Sequence, residues 1–470
     1  MKKHNQLNKG HPIFEITMIC VLVLIVIGAV VLLLPNAYKK QHSSENQSSA
    51  LLSAEDCSVS ASSEFENPTN SFSGDDPDKP TESEIPADDT YNTETSTEEN
   101  TAFSEITTES SKTTFGLESY LFGLTEDEKA KVYEIMDGMT LREKIYQMMI
   151  VPPSQITGVD NVIAAGSGTQ SALAKYPVGG LFYNATNMQS QEQVSTMLSN
   201  TQSYCEIPVL TMCDEEGGMV SRLMKNVGTT WVGSMLDYES QGTEIARQNA
   251  QTIATDMARL GFNLDLAPVA DVWSNPSNTV IAERAYSTDF DTAATLIPSA
   301  VEGFHQGGVA CTLKHFPGHG DTAEDSHYST AIVNKSLDEL RMNELLPFQA
   351  GIDAGADAVM MGHLTLPQID EQPALFSYTI VTDLLREEMG FQGVVMTDAL
   401  EMAAIADYYS SGTTAVMAVS AGVDMLLGPV NLTDSVNALE NAVNNGTITE
   451  ERIDQSVARI LALKIRRSIL

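Results

Sequence analysis

Short runs of apolar residues alternate with longer amphipathic stretches from about residue 117 to the end of the chain. Eight runs are apolar at consecutive positions, which is typical of strands that are buried on both faces of a parallel sheet. Between them, apolar positions recur at helical spacing, and Ser/Thr-x-x-Glu capping boxes at Thr125, Thr140 and Ser336 indicate where helices begin. The predicted strands are 146–151, 180–183, 209–214, 262–268, 309–315, 358–363, 394–398 and 425–428.

Eight strands that alternate with helices predict an α/β fold, a single (β/α)8 barrel of the TIM type. A doubly wound open sheet is the alternative, but no predicted strand is followed by a G-x-G-x-x-G turn. The glycine-containing stretch GSGTQS at 166–171 follows no clear strand, so we interpret it as a loop.

Polar clusters follow four of the predicted strands. Strand three ends in CDEEGG, strand five in KHFPGHGD, strand six in MGH and strand seven in VVMTD. The carboxyl ends of barrel strands build the active face of such folds, whereas the interior is packed side chains. Four polar strand ends in register therefore favour a barrel with a functional face.

The first 116 residues have a different pattern. Residues 16–34, ITMICVLVLIVIGAVVLLL, are 19 residues without a charge, enough for about 28 Å of helix. A cleaved signal peptide is the alternative, but its apolar core is usually only about 7–15 residues long and ends in a small-x-small site. We therefore expect an uncleaved transmembrane anchor after a short basic cytoplasmic segment, 1–15.

The segment that follows the anchor is rich in Ser, Thr, Glu and Asp. Residues 41–116 carry 17 acidic and two basic side chains, and such a segment buries too little apolar surface to offset the entropy of ordering its backbone. We expect 35–116 to be a disordered acidic linker. The expected arrangement is a single-pass cell-membrane protein whose domain 117–470 is extracellular.

The overall charge excludes one class of partner. The formal net charge is −37, and nucleic-acid binding requires a basic surface. The cysteines show neither metal-ligand spacing nor the pattern of a disulfide framework. They are Cys20, Cys57, Cys205, Cys213 and Cys311.

The stretch 314–327, KHFPGHGDTAEDSH, contains three histidines, three acidic residues and one lysine. Phe-Pro-Gly between His315 and His319 breaks the helix that would place both rings on one face, which leaves only a loop-built metal site. No Gly-Lys-Ser/Thr follows, so a nucleotide loop is disfavoured. Proton chemistry fits best, because Asp325 can orient the ring of His327, whose ordinary pKa is about 6.5. We expect His319 to fix the turn.

The same stretch resembles the signature of glycoside hydrolase family 3, in its NagZ-like β-N-acetylhexosaminidase branch. Further segments of the resemblance follow in order between about 135 and 430: MTLREKIYQM, DEEGGMVSRL, LAPVADVWSNPSNTVIAERAYSTD and VVMTDALEM. The chain departs from the usual pattern at Glu215, where Gln is common, and at Ala285-Tyr286, where Ser-Phe is common. These departures affect the expected substrate preference more than the expected reaction.

The resemblance implies a retaining exo-glycosidase that removes non-reducing terminal β-linked N-acetylglucosamine, with peptidoglycan fragments as the expected source. Asp398 would be the nucleophile, and His327, held by Asp325, the acid/base. The family's β-glucosidase branch takes its acid from a second domain, for which we expect no room before Leu470. The implied sugar-binding residues are Asp214, Arg222, Arg284, Lys314 and His315.

Alternatives remain at the level of residues and of function. Arg222 and Arg284 would otherwise be structural ion-pair partners, and Asp398 a helix cap after strand seven. A sugar phosphorylase on the same scaffold is an alternative, because an imidazole repels phosphate less than a carboxylate does. A non-catalytic, membrane-tethered glycan-binding protein is another, although it would be expected to lack the nucleophile or the loop. We expect no metal or organic cofactor, and a monomer.

Overall fold

A computed structural model describes residues 120–322 and 331–470. Within these ranges eight parallel strands form one sheet whose neighbours follow the chain from β1 to β7, with β8 beside β1. The strands are β1 Met149–Val151, β2 Gly180–Phe182, β3 Leu210–Cys213, β4 Leu264–Asp265, β5 Ala310–Phe316, β6 Ala358–Met361, β7 Val394–Thr397 and β8 Leu426–Leu427.

The two edge strands of this sheet meet. A parallel bridge joins Met396 to Met425, and the amide of Thr397 donates to the carbonyl of Met425 at 3.0 Å. The sheet is therefore a nearly closed parallel barrel, which removes the exposed edges that an open sheet would carry. This confirms the predicted α/β class and the eight strands, whose observed bounds lie inside or within one residue of the predicted runs.

Helices surround the barrel, and short strands lie outside it. The α-helices are α1 Glu126–Gly138, α2 Leu141–Gln147, α3 Pro153–Thr157, α4 Ser167–Lys175, α5 Gln191–Ser203, α6 Leu223–Val227, α7 Tyr238–Gln241, α8 Thr243–Leu260, α9 Phe290–Gly307, α10 Leu337–Met342, α11 Leu345–Asp353, α12 Ala403–Ala406, α13 Ser411–Ala421, α14 Leu432–Asn444 and α15 Glu450–Arg466. A π-helix spans Thr379–Glu388, and 3-10 turns span Ala185–Asn187, Met235–Asp237, Ala282–Arg284 and Ala374–Phe376. The outer strands are Glu215–Gly217, Val220–Ser221, Ala331–Ile332, Leu364–Leu366 and Asp370–Pro373.

The predicted capping boxes form as the sequence indicates. Thr125 caps α1, accepting the amide of Glu128 while the Glu128 carboxylate accepts the Thr125 amide at 2.8 Å. Thr140 caps α2 and Ser336 caps α10 in the same way. Each box satisfies backbone donors that the first helical turn leaves open.

Helices α8 and α9 pack closely because α9 carries glycine where they touch. A Cβ atom added at Gly303 would lie 2.2 Å from the carbonyl oxygen of Arg247, and one at Gly307 would lie 2.4 Å from the Cβ of Ala254. Larger residues of α9, among them Ile297 and Phe304, are buried in the core. The glycines therefore allow α9 to approach α8, while its larger residues fill the core.

Strand β5 brings polar side chains into the barrel. All seven of its residues are buried, including Lys314 and His315. Taking an ammonium group out of water costs several kcal/mol unless it is paired. The partners of these two side chains therefore decide what the barrel mouth can do.

Two local predictions are wrong. The stretch GSGTQS belongs to helix α4, which begins at Ser167, because packing of Ala172 and Leu173 overrides the weak helical signal of its Gly and Ser residues. The apolar positions that follow the Ser336 capping box, from Leu337 to Ile352, recur near helical spacing and predict one helix, but they are divided between α10 and α11.

The anchor at 16–34 and the linker at 35–116 lie outside the described residues. In the part of the chain that the structure describes, no helix is long and apolar enough to cross a membrane.

Candidate active site

Five side chains form a row of alternating charges at the carboxyl ends of β3 and β5. Lys314 Nζ lies 2.8 Å from Asp214 Oδ1 and 2.6 Å from Glu216 Oε1. Arg284 binds Glu216 through two hydrogen bonds of 2.8 Å, from Nε to Oε2 and from Nη2 to Oε1. At the other end, Arg222 Nη2 lies 3.5 Å from Asp214 Oδ2. The fold thus brings together four of the predicted sugar-binding residues.

The members of this charge row stabilise one another in their ionised forms. Burial raises the pKa of the Glu216 carboxyl, but Arg284 and Lys314 outweigh it and hold that pKa well below its usual range. Burial alone would lower the pKa of Lys314, yet Asp214 and Glu216 raise it overall. The pKa of Arg284 is raised for the same reason, mainly by Glu216 against the effect of burial. Lys314, Glu216 and Arg284 therefore remain charged at neutral pH.

The charge row is more exposed at its Arg222–Asp214 end than in the rest of the row. The side chains of Arg222 and Asp214 are 34% and 18% exposed, whereas those of Arg284, Lys314 and Glu216 are 10% exposed or less. Arg284 also donates from Nη1 to the carbonyl of Val280 at 2.9 Å. The structural ion pairing considered for Arg284 is thus present, with Glu216 as its partner.

His315 is tied to a buried carboxylate that the sequence analysis did not single out. Its Nδ1 lies 2.6 Å from Asp271 Oδ2, and its amide donates to the same oxygen at 3.1 Å. The amide of His319 donates to Asp271 Oδ1 at 2.7 Å. The His319 ring contacts the hydroxyl of Thr322 at 2.9 Å, in agreement with the turn-fixing role expected for it.

Asp398 immediately follows β7 and is half-buried. Its amide donates to the carbonyl of Met361 at 3.0 Å, and its Oδ1 accepts the amide of Ala399 at 2.7 Å. Burial raises the pKa of this carboxyl, but the imidazoles of His363 and His315, the Ala399 amide and the Lys314 ammonium outweigh it, so the pKa is lowered overall. Asp398 is therefore an ionised carboxylate.

The position of Asp398 does not fit a helix cap. Helix α12 begins at Ala403, and the residue before it is Met402. The carboxylate instead accepts the amide of the neighbouring Ala399. The helix-cap alternative is therefore wrong.

The residues that depart from the family pattern make contacts within the protein. The Glu215 carboxylate accepts the amides of Arg222, Leu223 and Met224 at 2.5, 2.7 and 3.0 Å, at the start of α6. Tyr286 is buried with its ring centroid 5.2 Å from that of Tyr238. Glu215 thus supports the loop that carries Arg222, and Tyr286 packs against Tyr238.

The predicted acid/base pair, His327 and Asp325, lies outside the described residues. Glu216, Asp271 and His363 are the buried neighbours that sequence reasoning missed as site components. The EEGG and MGH motifs contained Glu216 and His363, but nothing in the sequence spacing indicates their partners.

Among the described residues, one group of three side chains has metal-ligand geometry: His305, Cys311 and Asp357. It lies at the amino-terminal ends of β5 and β6, away from Lys314 and Asp398. Arg467 donates from Nε to Asp357 Oδ1 at 2.7 Å and also contacts His305 Nε2. The guanidinium of Arg467 thus already supplies a positive charge to this group.

The chain shares its barrel with known glycosidases. Residues 140–463 match the family described as glycosyl hydrolase family 3 N terminal domain. Beta-hexosaminidase A of Pseudoalteromonas piscicida is 33% identical over 324 residues, which cover 63% of this chain and 54% of that protein. Beta-hexosaminidase of Stenotrophomonas maltophilia strain R551-3 is 40% identical over 232 residues, which cover 48% of this chain and 69% of that protein.

A solved structure agrees with these relatives. The family 3 beta-N-acetylglucosaminidase from Paenibacillus sp. str. FPU-7 superposes with a TM-score of 0.67 and 38% identity, covering 71% of this chain and 63% of that one. The chain spans just over half the length of the first relative and about two thirds of the other two. The predicted resemblance to the β-hexosaminidase branch is confirmed, and the chain belongs to glycosyl hydrolase family 3.

Proposed function

We propose that this protein is a retaining exo-glycosidase that releases terminal β-linked N-acetylglucosamine. The observation that carries the proposal is Asp398, an ionised carboxylate beside His315 and Lys314 at the carboxyl end of a barrel strand. A nucleophilic carboxylate must be unprotonated and within reach of the reacting carbon. Its lowered pKa meets the first requirement, and its place on the barrel's active face supports the second.

The proposed reaction has two steps. Asp398 attacks the anomeric carbon and forms a covalent glycosyl-enzyme, while His327, oriented by Asp325, protonates the leaving oxygen. The same imidazole then removes a proton from water as water attacks the intermediate. The assignment of His327 and Asp325 rests on the spacing of the two residues and on the sequence resemblance.

The charge row supplies donors for the sugar. The ammonium of Lys314 has three N–H bonds and contacts two carboxylates, Asp214 and Glu216, which leaves one N–H for a hydroxyl group. Arg222 and Asp214, the most exposed members, would contact hydroxyls directly. Charge-assisted hydrogen bonds are about twice as strong as neutral ones, which helps to remove hydroxyl groups from water. Arg284 would act chiefly by holding Glu216.

The proposed setting is the outer face of the cell membrane. The uncharged run at 16–34 supports an anchor, and the acidic composition of 35–116 supports a linker that holds the domain away from the lipid. Peptidoglycan fragments are the proposed substrate source.

The test compares the full-length protein with its Asp398→Ala variant on nitrophenyl β-N-acetylglucosaminide, nitrophenyl β-glucoside and muropeptide fragments. We expect N-acetylglucosamine to be released first as the β-anomer, with activity lost in the variant. Activity on the glucoside alone would contradict the proposed substrate. Release of the α-anomer would contradict the covalent mechanism.

Two further measurements test the acid/base residue and the acceptor. His327→Ala should slow substrates with poor leaving groups severely but spare those with acidic leaving groups, which need no proton; an equal loss on both would contradict its role as acid. Added inorganic phosphate should leave the product as the free sugar. Formation of a glycosyl phosphate would identify a phosphorylase instead.

A further inference from the structure

The carboxylate of Asp271 contacts the loop that follows β5. Asp271 follows β4 along a segment that continues the parallel pairing, where the amide of Ala270 donates to the carbonyl of Lys314 at 2.8 Å. Asp271 is 1% exposed. The carboxylate is therefore held against the backbone of β5, because Ala270, the residue before Asp271, is hydrogen-bonded to Lys314, the residue before His315.

Both oxygens of this carboxylate accept hydrogen bonds from the loop at the end of β5. Oδ2 contacts Nδ1 and the amide of His315, at 2.6 and 3.1 Å, and Oδ1 accepts the amide of His319 at 2.7 Å. Burial raises the pKa of Asp271, but His315 and His319 outweigh it and lower that pKa overall. An ionised carboxylate only accepts hydrogen bonds, so the ring nitrogen facing it must carry the hydrogen.

The consequence concerns the other nitrogen of the His315 ring. Nδ1 is committed to Asp271, and no described residue is hydrogen-bonded to Nε2, so that nitrogen is left for the substrate. The ring is close enough to Asp398 to lower the pKa of that carboxyl, so it borders the place where the sugar would react. Which nitrogen carries the hydrogen is set by the partner of the other one.

We propose that Asp271 is a positioning residue of the hydrolytic site, whose carboxylate keeps the hydrogen of His315 on Nδ1 and so directs Nε2 to a sugar hydroxyl. The contact with sugar rests on the proposed function, whereas the ring's hydrogen position does not. A purely structural role is the competing explanation, because Asp271 also accepts two backbone amides of the same loop.

Asp271→Asn changes the partner of the His315 ring and also that of the His315 amide, since both contact Oδ2, so its comparison with a His315 double variant separates these roles. If the asparagine oxygen keeps the amide of His319, its NH2 group faces His315 Nδ1 and can only donate to it. The ring would then carry its hydrogen on Nε2 instead, as happens when a carboxylate that orients a catalytic histidine is replaced by an amide. Outer partners of functional histidines typically contribute about 10- to 100-fold, and we expect kcat/KM to fall by about that factor.

The experiment has a spectroscopic arm and a kinetic arm. The protein is labelled with [15N]histidine, and two-bond 15N–1H correlations identify the hydrogen-bearing nitrogen of His315, assigned by its loss in His315→Gln. We expect Nδ1–H in the wild type and Nε2–H in Asp271→Asn. A wild-type ring with no hydrogen on Nδ1 would overturn the proposal, even if Asp271→Asn failed to fold.

In the kinetic arm, Asp271→Asn is combined with His315→Gln. If Asp271 acts through His315, the double variant should match His315→Gln within about two-fold. Losses that multiply would show that Asp271 acts only on the loop. An enzyme inactive on N-acetylglucosaminides but with Nδ1–H at His315 would refute the proposed function and leave the positioning intact.

Discussion

Replacing Glu216 by glutamine should destabilise the barrel strongly. Glu216 is buried and binds Lys314 at 2.6 Å and Arg284 through two bonds of 2.8 Å. The charge row has three cations and two anions, so its net charge of +1 becomes +2 in the variant. Lys314 keeps Asp214, but the described contacts of Arg284 then include only the carbonyl of Val280 and a neutral amide. Breaking a buried ion pair on one side typically costs about 3–5 kcal/mol.

The assay is urea unfolding followed by circular dichroism at neutral pH. We expect Glu216→Gln to lower the free energy of unfolding by about 3 kcal/mol or more, with an unchanged m-value. Glu244→Gln is the matched control, because its partner Arg247 forms an exposed pair on α8, and it should leave the midpoint unchanged. Adding Arg284→Met to Glu216→Gln should restore much of the loss, since it removes the uncompensated charge.

The dependence on pH provides a second check. Because the folded-state pKa of Glu216 is lowered, its stabilising effect is present above the unfolded pKa of about 4.3 and is lost as the pH falls below it. The difference between wild type and Glu216→Gln should therefore shrink in acid. A loss below about 1 kcal/mol at neutral pH, the range of an exposed pair, would refute the account of a buried charge row.

Other predictions concern residues away from the site. Burial lowers the pKa of Lys464 to about 7, so the unfolded state binds the Lys464 proton more tightly than the folded state does. The free energy of unfolding should therefore rise between about pH 7 and 10, by up to about 1.4 kcal/mol per pH unit. Lys464→Met should flatten that rise. Burial raises the pKa of Asp265, so Asp265→Asn should stabilise the protein above about pH 4 and have no such effect below it. Gly303→Ala should cost about 1–3 kcal/mol, because its methyl group would meet the carbonyl of Arg247. Urea titrations across pH check the first two variants and a single titration checks the third. Equal pH slopes for Lys464→Met and wild type, a destabilised Asp265→Asn at pH 7, or a neutral Gly303→Ala would each contradict the stated reason.

The strands of this protein are predictable because buried parallel strands are continuous apolar runs. Strand β7, VVMT, is an example, and its polar continuation at Asp398 lies at the carboxyl end of the strand. Capping boxes likewise depend on neighbours three residues apart, which a sequence displays directly.

Contacts between residues that are far apart along the chain cannot be recognised from the sequence in this way. Glu216 and Arg284 are 68 positions apart, and Asp271 and His315 are 44 apart. In the sequence, neither Glu216 nor Asp271 differs from the many other acidic residues. Only the folded barrel brings each carboxylate to its partner. Helix α4 was missed for a related reason, since its formation depends on tertiary packing rather than on local propensity.

The central claim is that Asp398 forms the covalent bond to the sugar. The most direct measurement incubates the protein with an activated 5-fluoro derivative of β-N-acetylglucosamine, which slows breakdown of the intermediate, and maps the labelled peptide by mass spectrometry. We predict one added sugar on the peptide containing Asp398 and no label in Asp398→Ala. A label on another carboxylate, such as Asp214, or turnover without any covalent intermediate would contradict it.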